Sequence, residues 1–196
     1  LWYIKRDMGA VNKVFRGLTS EHSEPENSLF PLQEKPWIAT LDTFAIGGGC
    51  QYLLVMDHIM AEKGSYMTLP ARKEGIIPGM ANLRLWRFTG DRIARQAIQN
   101  GLTINSDSTQ GKLICDEIIE KKSMDESLLK TIDAYTNSGV VGSASNRRAF
   151  RIGQEPLDTF RKYMSAYCHD QAYCHFSDAL IKNLENYWDA ASRPLK

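Results

Sequence analysis

Three consecutive glycines, Gly47 to Gly49, separate a short apolar run from a segment with helical spacing in FAIGGGCQYLLVMDHIMA, residues 44–61. Glycine adopts backbone angles that other residues avoid, and it lets a second group approach the backbone closely. At the start of a helix the first N–H groups lack partners inside the helix, and the helix dipole adds partial positive charge. The pattern therefore predicts either a tight strand-to-helix turn or a site where backbone N–H groups bind an anionic oxygen.

The composition is typical of a globular protein with a substantial core. Of 196 residues, 43% are hydrophobic and 24% are charged, and the net charge is +1. This charge does not favour DNA or an acidic membrane as the main partner, and no apolar run reaches the roughly 18 residues of a membrane span. The four cysteines lack the pattern of a disulfide framework, so reduced thiols in a cytoplasmic protein are expected.

Hydrophobic spacing predicts short strands that alternate with helices, which is typical of α/β proteins. Loops are expected at 19–36 and 71–80. Strands are expected within 37–46, 65–70 and 111–119. Helices are expected at 1–18, at 50–63, in two pieces over 81–101, and from Met124 onward with breaks near 139–142 and 153–156.

Two stretches carry a family resemblance, KPWIATLDTFAIGGGCQYLLVMDHIMA and SYMTLPARKEGIIPGMANLRLWRFTG. In order and spacing they resemble the crotonase (enoyl-CoA hydratase/isomerase) superfamily over residues 35–119. The resemblance implies the C-terminal part of the crotonase ββα spiral fold over 1–122 and a helical oligomerisation region over 123–196. It also implies that the Gly48 N–H is one of two oxyanion-hole donors that hold a thioester oxygen as an enolate forms. Substrate contacts are expected from Ile46 and Gly47.

Two positions depart from the hydratases of this superfamily. Hydratases add water with two glutamates, which serve as a paired acid and base. The corresponding positions here are Gln51 and Ala71. Neither side chain exchanges a proton near neutral pH, so ordinary hydration is not expected. Glu74 lies three residues beyond Ala71, and we expect it to be structural or at the edge of the site.

The departures resemble a narrower branch, the cofactor-independent 3,5-dihydroxyphenylacetyl-CoA dioxygenases. The resemblance rests on KRDMG upstream, on AIGGG followed by Gln51, on LPA and KEGIIPG, and on NRR and FRKYM nearer the C-terminus. It implies that O2 oxidises an arylacetyl-CoA and that the thioester is cleaved. The products would be an arylglyoxylate and free CoA, with no metal or flavin, in the biosynthesis of an antibiotic or a similar secondary metabolite.

The same resemblance implies roles for particular side chains. Arg6 matches an arginine that binds a ring hydroxyl, although a surface ion pair is the plain alternative. Gln51 is expected to hydrogen-bond the thioester, the ring or a water without acting as a base, or simply to hold a local network. Arg84 is expected to stabilise the loop that precedes it. The apolar wall of an O2 pocket, or else ordinary core, is expected from Ile76, Ile77 and Pro78.

A metal site is not expected in CHDQAYCH, residues 168–175. Structural zinc requires four ligands in tetrahedral geometry, usually as pairs from separate elements. On one helix Cys168 and His175 share a face, but His169 and Cys174 do not both join it. Side chains on an ordinary helix are the favoured interpretation.

The resemblance covers only the later part of the crotonase fold. Upstream strands, the second oxyanion donor and a ring-binding glutamate are expected from chain that precedes Leu1, so we expect part of a working enzyme. A homotrimer or hexamer that binds an acyl-CoA and O2 is also expected. Two alternatives stay open: a crotonase-like isomerase or thioester hydrolase that does not use O2, and a non-catalytic CoA-thioester-binding subunit.

Overall fold

The computed structural model describes residues 35–137 and 139–191, with side chains as far as residue 186. The predicted helix at 1–18, most of the predicted loop at 19–36, and Arg6 lie outside the described residues. The strands are β1 (Ile38–Leu41), β2 (Phe44–Ile46), β3 (His58–Glu62), β4 (Tyr66–Thr68), β5 (Ile104–Asn105) and β6 (Glu117–Ile119). The helices are α1 (Gly48–Leu53), α2 (Ala71–Glu74), α3 (Ala81–Asn100), α4 (Met124–Asn137), α5 (Val140–Gln154), α6 (Leu157–His175) and α7 (Asp178–Ala191).

Within the described residues, the six strands form two small sheets of three strands each. The first has the order β1-β3-β6 and is parallel throughout. The second has the order β2-β4-β5, with β2 parallel to β4 and β4 antiparallel to β5. Only Asp42 and Thr43 separate β1 from β2, so the single strand predicted over 37–46 is in fact two strands in different sheets. The chain therefore moves from one sheet to the other as it advances.

The long helix predicted over 50–63 is wrong, because α1 ends at Leu53 and β3 begins at His58. Asp57 fixes this change of structure. Its side-chain Oδ2 accepts a hydrogen bond from the Trp37 N–H at 2.6 Å, and its own N–H donates to the Trp37 carbonyl at 2.8 Å. These bonds place β3 beside β1. Since β3 is buried, its apolar run shows no alternation, and periodicity alone does not distinguish such a strand from a buried helix.

The main core joins both sheets to α1 and α3. Met67 on β4 and Leu85 on α3 are fully buried, and Cys50 and Ile59 belong to the same cluster. A second, smaller cluster joins the start of α3 to α6 and consists of Met80, Phe160 and Met164. The C-terminal helices therefore pack back onto the segment that precedes α3.

The helical C-terminal region is confirmed, and its breaks fall where they were predicted. Gly139 is the N-cap of α5, and Pro156 is the N-cap of α6. Gly90 has a non-helical backbone inside α3 and divides it into the two predicted pieces. The strands within 65–70 and 111–119 are also confirmed, whereas β5 and the short α2 were not predicted. The domain boundary at residue 122 stays a prediction.

No helix of the described residues is long and apolar enough to cross a lipid bilayer.

Candidate active site

The glycine run forms a tight turn from β2 into α1. Gly47 has a φ of 53° and a ψ of −110°, a conformation that glycine adopts with little strain. Its N–H donates to the Thr68 carbonyl at 3.0 Å, and its carbonyl accepts from the Gln51 N–H at 3.1 Å. These two bonds anchor the turn to β4 and close the first turn of the helix. Gly48 is thereby fixed as the first residue of α1.

The backbone of Gly48 and Gly49 is exposed at this helix start. Among the described residues, neither N–H has a hydrogen-bond acceptor. Beyond its chain neighbours, a Cβ added to Gly48 would meet no atom of the described residues within 4 Å. An open, outward N–H on a fixed backbone is what an oxyanion-hole donor requires. The geometry of the turn therefore suits the predicted role of Gly48, which stays a prediction.

An exposed apolar edge adjoins the turn. Ile46, at the end of β2, is 42% exposed and pairs in register with Thr68. Phe44 on the same strand stacks on Tyr66, with ring centroids 5.9 Å apart. The predicted substrate contacts Ile46 and Gly47 therefore lie beside Gly48, on a surface that an acyl chain or aryl ring can cover. Their contact with substrate stays a prediction.

Gln51 is buried on α1, and its side chain forms a hydrogen bond with a neighbouring loop. Its Oε1 accepts a hydrogen bond from the Met80 N–H at 3.1 Å. Gly79, just before Met80, has a φ of 47°, and a Cβ there would overlap Gln51 Oε1. Of the sequence-based interpretations, the local network is the one that this geometry supports directly. A contact between Gln51 and substrate stays a prediction.

We expect Gly79→Ala to destabilise the protein more than Gly64→Ala. Both glycines have a positive φ, at 47° and 84°, which costs about 1–2 kcal/mol for any other residue. Of the two, only the Cβ at 79 collides with another group, because a Cβ at Gly64 would have no non-neighbouring atom of the described residues within 4 Å. Denaturant unfolding of both variants measures the difference. Equal losses would show that Gln51 moves away without cost.

The loop at 76–80 carries the predicted O2-pocket wall and lies against Gln51. Ile76 and Ile77 are half-buried, and Pro78 is buried. Ala71, at the position of the second hydratase glutamate, is buried at the start of α2, and Glu74 is exposed on the same short helix. The structure thus brings Gln51 and the loop together. The O2 pocket itself stays a prediction.

Sequence reasoning missed the partner of Arg84. Arg84 is buried and makes two hydrogen bonds to the Glu155 carboxylate, at 2.8 and 2.7 Å. Arg87 adds a third at 3.1 Å. Burial alone would raise the pKa of Glu155, but the bonds and charges of Arg84 and Arg87 outweigh burial and hold that pKa below its usual value. Arg84 therefore pairs with the residue that follows α5, for which the local sequence gives no signal, and its expected role in the preceding loop stays a prediction.

A second ion pair ties α5 to Asp57, the residue that precedes β3. Arg147 Nε donates to Asp57 Oδ2 at 2.6 Å, and the guanidinium lies 5.5 Å from the centroid of the Trp37 ring. Arg147 is the first arginine of NRR. Its contacts fix the C-terminal helices on the turn that ends α1.

The thiol that follows the glycine run is unsuited to act as a nucleophile. Burial, and to a smaller degree the nearby Cys115, raises the pKa of Cys50 to about 12. The thiol is thus protonated near neutral pH, and the thiolate is the reactive form. Across the described residues, no group of three or more His, Cys, Asp or Glu side chains is placed to hold a metal ion.

A family model and several known proteins are similar to this chain. The enoyl-CoA hydratase/isomerase family model matches residues 6–159. The chain is 40% identical over 169 residues to (3,5-dihydroxyphenyl)acetyl-CoA 1,2-dioxygenase of Amycolatopsis orientalis, a match over 86% of this chain and 37% of that protein. It is 24% identical over 151 residues to carnitinyl-CoA dehydratase of Salmonella typhi, over 75% of this chain and 58% of the dehydratase.

A solved structure shares the fold. An enoyl-CoA hydratase/isomerase from Pseudoalteromonas atlantica superposes with a TM-score of 0.72 at 18% identity, covering 84% of this chain and 66% of that one. The α/β crotonase fold predicted from the sequence is thus confirmed, while the chain spans only 37% and 58% of the two relatives named above. The chain belongs to the enoyl-CoA hydratase/isomerase (crotonase) family.

Proposed function

We propose that this chain is part of an oxygenase that acts on an arylacetyl-CoA of the 3,5-dihydroxyphenylacetyl type. The observation that carries the proposal is that neither of the two positions at which hydratases have a glutamate holds an ionisable side chain here. Gln51 is buried and occupied by the Met80 N–H, and Ala71 has no ionisable group. A site with neither glutamate is unsuited to hydration, and the 40% identity to a dioxygenase supplies a chemistry that needs neither.

The proposed reaction balances without an added redox cofactor. The substrate loses an α proton to solvent, and its enolate oxygen binds the Gly48 N–H and a second donor from elsewhere in the whole protein, while the CoA thiolate that leaves later takes up a proton. The carbanion then reduces O2. One arylacetyl-CoA and one O2 give one arylglyoxylic acid and one free CoA, so both atoms of O2 enter the acid as the carbon–sulfur bond breaks. The substrate itself supplies the electrons.

The residues around Gly48 bind O2 and the aryl and acyl parts of the substrate in the proposed reaction. O2 is small and apolar, so the wall formed by Ile76, Ile77 and Pro78 offers it a dry pocket beside the carbanion. Arg6 donates to a ring hydroxyl through its planar guanidinium, and Ile46 and Gly47 contact the acyl part. We further propose a homotrimer or hexamer in the cytoplasm, with the product used in an antibiotic or other secondary metabolite.

The test is to incubate the whole protein, treated with a chelator, with 3,5-dihydroxyphenylacetyl-CoA while O2 and free thiol are followed together. We expect O2 uptake and thiol release to proceed one for one. Phenylacetyl-CoA should react about 10- to 100-fold more slowly, because a polar group that loses its hydrogen-bond partner in a closed complex costs about 1–3 kcal/mol.

Two other outcomes would replace the proposal. Thiol release without O2 uptake would indicate the second candidate, a crotonase-type hydrolase, and a shifted double bond in an enoyl-CoA would indicate an isomerase. The match to the enoyl-CoA hydratase/isomerase family model, which is broader than the dioxygenase branch, is the observation behind this candidate. Binding of the thioester with no turnover would indicate a CoA-thioester-binding subunit.

A further inference from the structure

The loop at 76–80 satisfies only part of its backbone by itself. The Ile76 N–H donates to the Ala71 carbonyl at 2.9 Å, and the Gly79 N–H donates to the Ile77 carbonyl at 2.8 Å. Pro78 has no N–H to donate. The N–H groups of Ile77 and Met80 and the carbonyl of Gly79 bond to side chains from other elements. The position of the loop therefore depends on those side chains.

Two of the three side chains come from α6. Gln171 Oε1 accepts from the Ile77 N–H at 2.9 Å, and the Tyr163 hydroxyl donates to the Gly79 carbonyl. Gln51 holds the opposite side of the loop from α1. Hydrogen bonds to the residues on both sides of Pro78 thus fix the position of the loop between α1 and α6.

Packing reinforces these bonds. Met80 is buried against Phe160 and Met164, which lie on the same helix as Tyr163. On the other flank, a Cβ at Gly75 would lie 3.0 Å from the Leu180 backbone nitrogen, so α7 closely approaches the end of α2. Helices α6 and α7 therefore both pack against the segment that carries the loop.

The Tyr163 hydroxyl remains a hydrogen-bond donor across the working pH range. Burial, and then the neighbouring Tyr167, raises its pKa to about 12. The two rings are stacked with centroids 6.3 Å apart. The phenol is consequently protonated well above neutral pH and keeps its bond to Gly79.

We infer that Tyr163 and Gln171 are positioning residues that set the place of the O2-pocket wall from the C-terminal helix α6. The inference rests on the proposed function for the identity of that wall. Neither side chain touches the reacting atoms in this account. They act through the backbone of Gly79 and Ile77, and their loss lets the wall move and admit water.

The experiment compares two disruptive variants with two matched controls in the whole protein. Tyr163→Phe removes the hydroxyl and keeps the ring, while Tyr167→Phe makes the same change one turn away, where the hydroxyl makes no hydrogen bond to the described loop. Gln171→Leu removes the acceptor for the Ile77 N–H, while Gln171→Glu keeps it. Hydrogen exchange of the peptide that contains 76–80 reports the loop, and the ratio of O2 consumed to thiol released reports the chemistry.

We expect Tyr163→Phe and Gln171→Leu to speed exchange of the loop about 10-fold and to lower the O2-to-thiol ratio. Tyr167→Phe and Gln171→Glu should match the unmodified protein in both. Unchanged loop exchange, or an unchanged ratio despite faster exchange, would overturn the inference. If the unmodified protein consumes no O2, the proposed function fails, and loop exchange alone then decides whether α6 positions the loop.

Discussion

Replacing Gly48 with proline is expected to lower turnover about 100- to 1,000-fold while the protein keeps its fold. Gly48 is the first residue of α1, where proline is well tolerated because its missing N–H has no partner inside the helix. The substitution therefore removes a single donor from the proposed oxyanion hole, a loss of the size seen for one such donor. The rate constant kcat should fall with kcat/KM, since the bond strengthens as charge develops on the oxygen.

Gly48→Ala separates the effect of losing the N–H from the effect of adding side-chain bulk. Alanine keeps the donor, and its Cβ meets no described atom within 4 Å. Any loss of activity in Gly48→Ala measures crowding of the substrate. The ratio of the activities of Gly48→Ala and Gly48→Pro therefore reports the contribution of the N–H. Thermal unfolding of both variants checks the fold. Equal activity of the two variants would remove Gly48 from the mechanism.

Glu155→Gln is expected to lower the free energy of unfolding by about 3–5 kcal/mol. The change leaves Arg84 and Arg87 without their buried counter-charge, and an uncompensated buried charge has a cost of this size. Glu120→Gln is the matched control. Its ion pair with Lys63 has a similar distance, 3.0 Å, but both side chains are more than 60% exposed, so its loss is expected to lower the free energy of unfolding far less. Similar losses in the two variants would contradict the importance of the buried pair.

The buried pair also makes stability depend on pH. The folded pKa of Glu155 lies below its unfolded value, so this stabilisation is complete above the unfolded pKa and is lost as pH falls through the folded pKa. Urea unfolding between neutral and acidic pH should therefore show a smaller acid loss for Glu155→Gln than for the unmodified protein. Parallel curves would contradict this assignment.

Local sequence patterns were sufficient to predict the structure where it depends on the backbone preferences of single residues. The positive φ at Gly47 and the caps at Gly139 and Pro156 all follow from residue types that restrict or free the backbone. The length of α1 depends instead on Asp57 reaching Trp37, twenty residues earlier. No spacing within 50–63 records that contact, so the buried strand β3 was mistaken for helix.

The candidate site likewise contains some residues that the sequence identifies and others that only the structure identifies. The glycine run and the IIPG segment were found in the sequence because each is a compact motif. The roles of Tyr163 and Gln171 were missed, since each bonds to a loop more than eighty residues earlier in the chain. Gln51 shows both sides of this: its departure from the hydratases is visible in the sequence, but its bond to Met80 is visible only in the structure.

Incubation of the whole protein with 3,5-dihydroxyphenylacetyl-CoA under heavy-isotope-labelled O2 tests the central claim most directly. Mass spectrometry of the arylglyoxylate counts the labelled oxygen atoms in each product molecule. The proposed reaction predicts two labelled atoms, with the third oxygen retained from the thioester carbonyl. A released arylacetic acid with no labelled oxygen would show simple hydrolysis of the thioester and would contradict the oxygenase account.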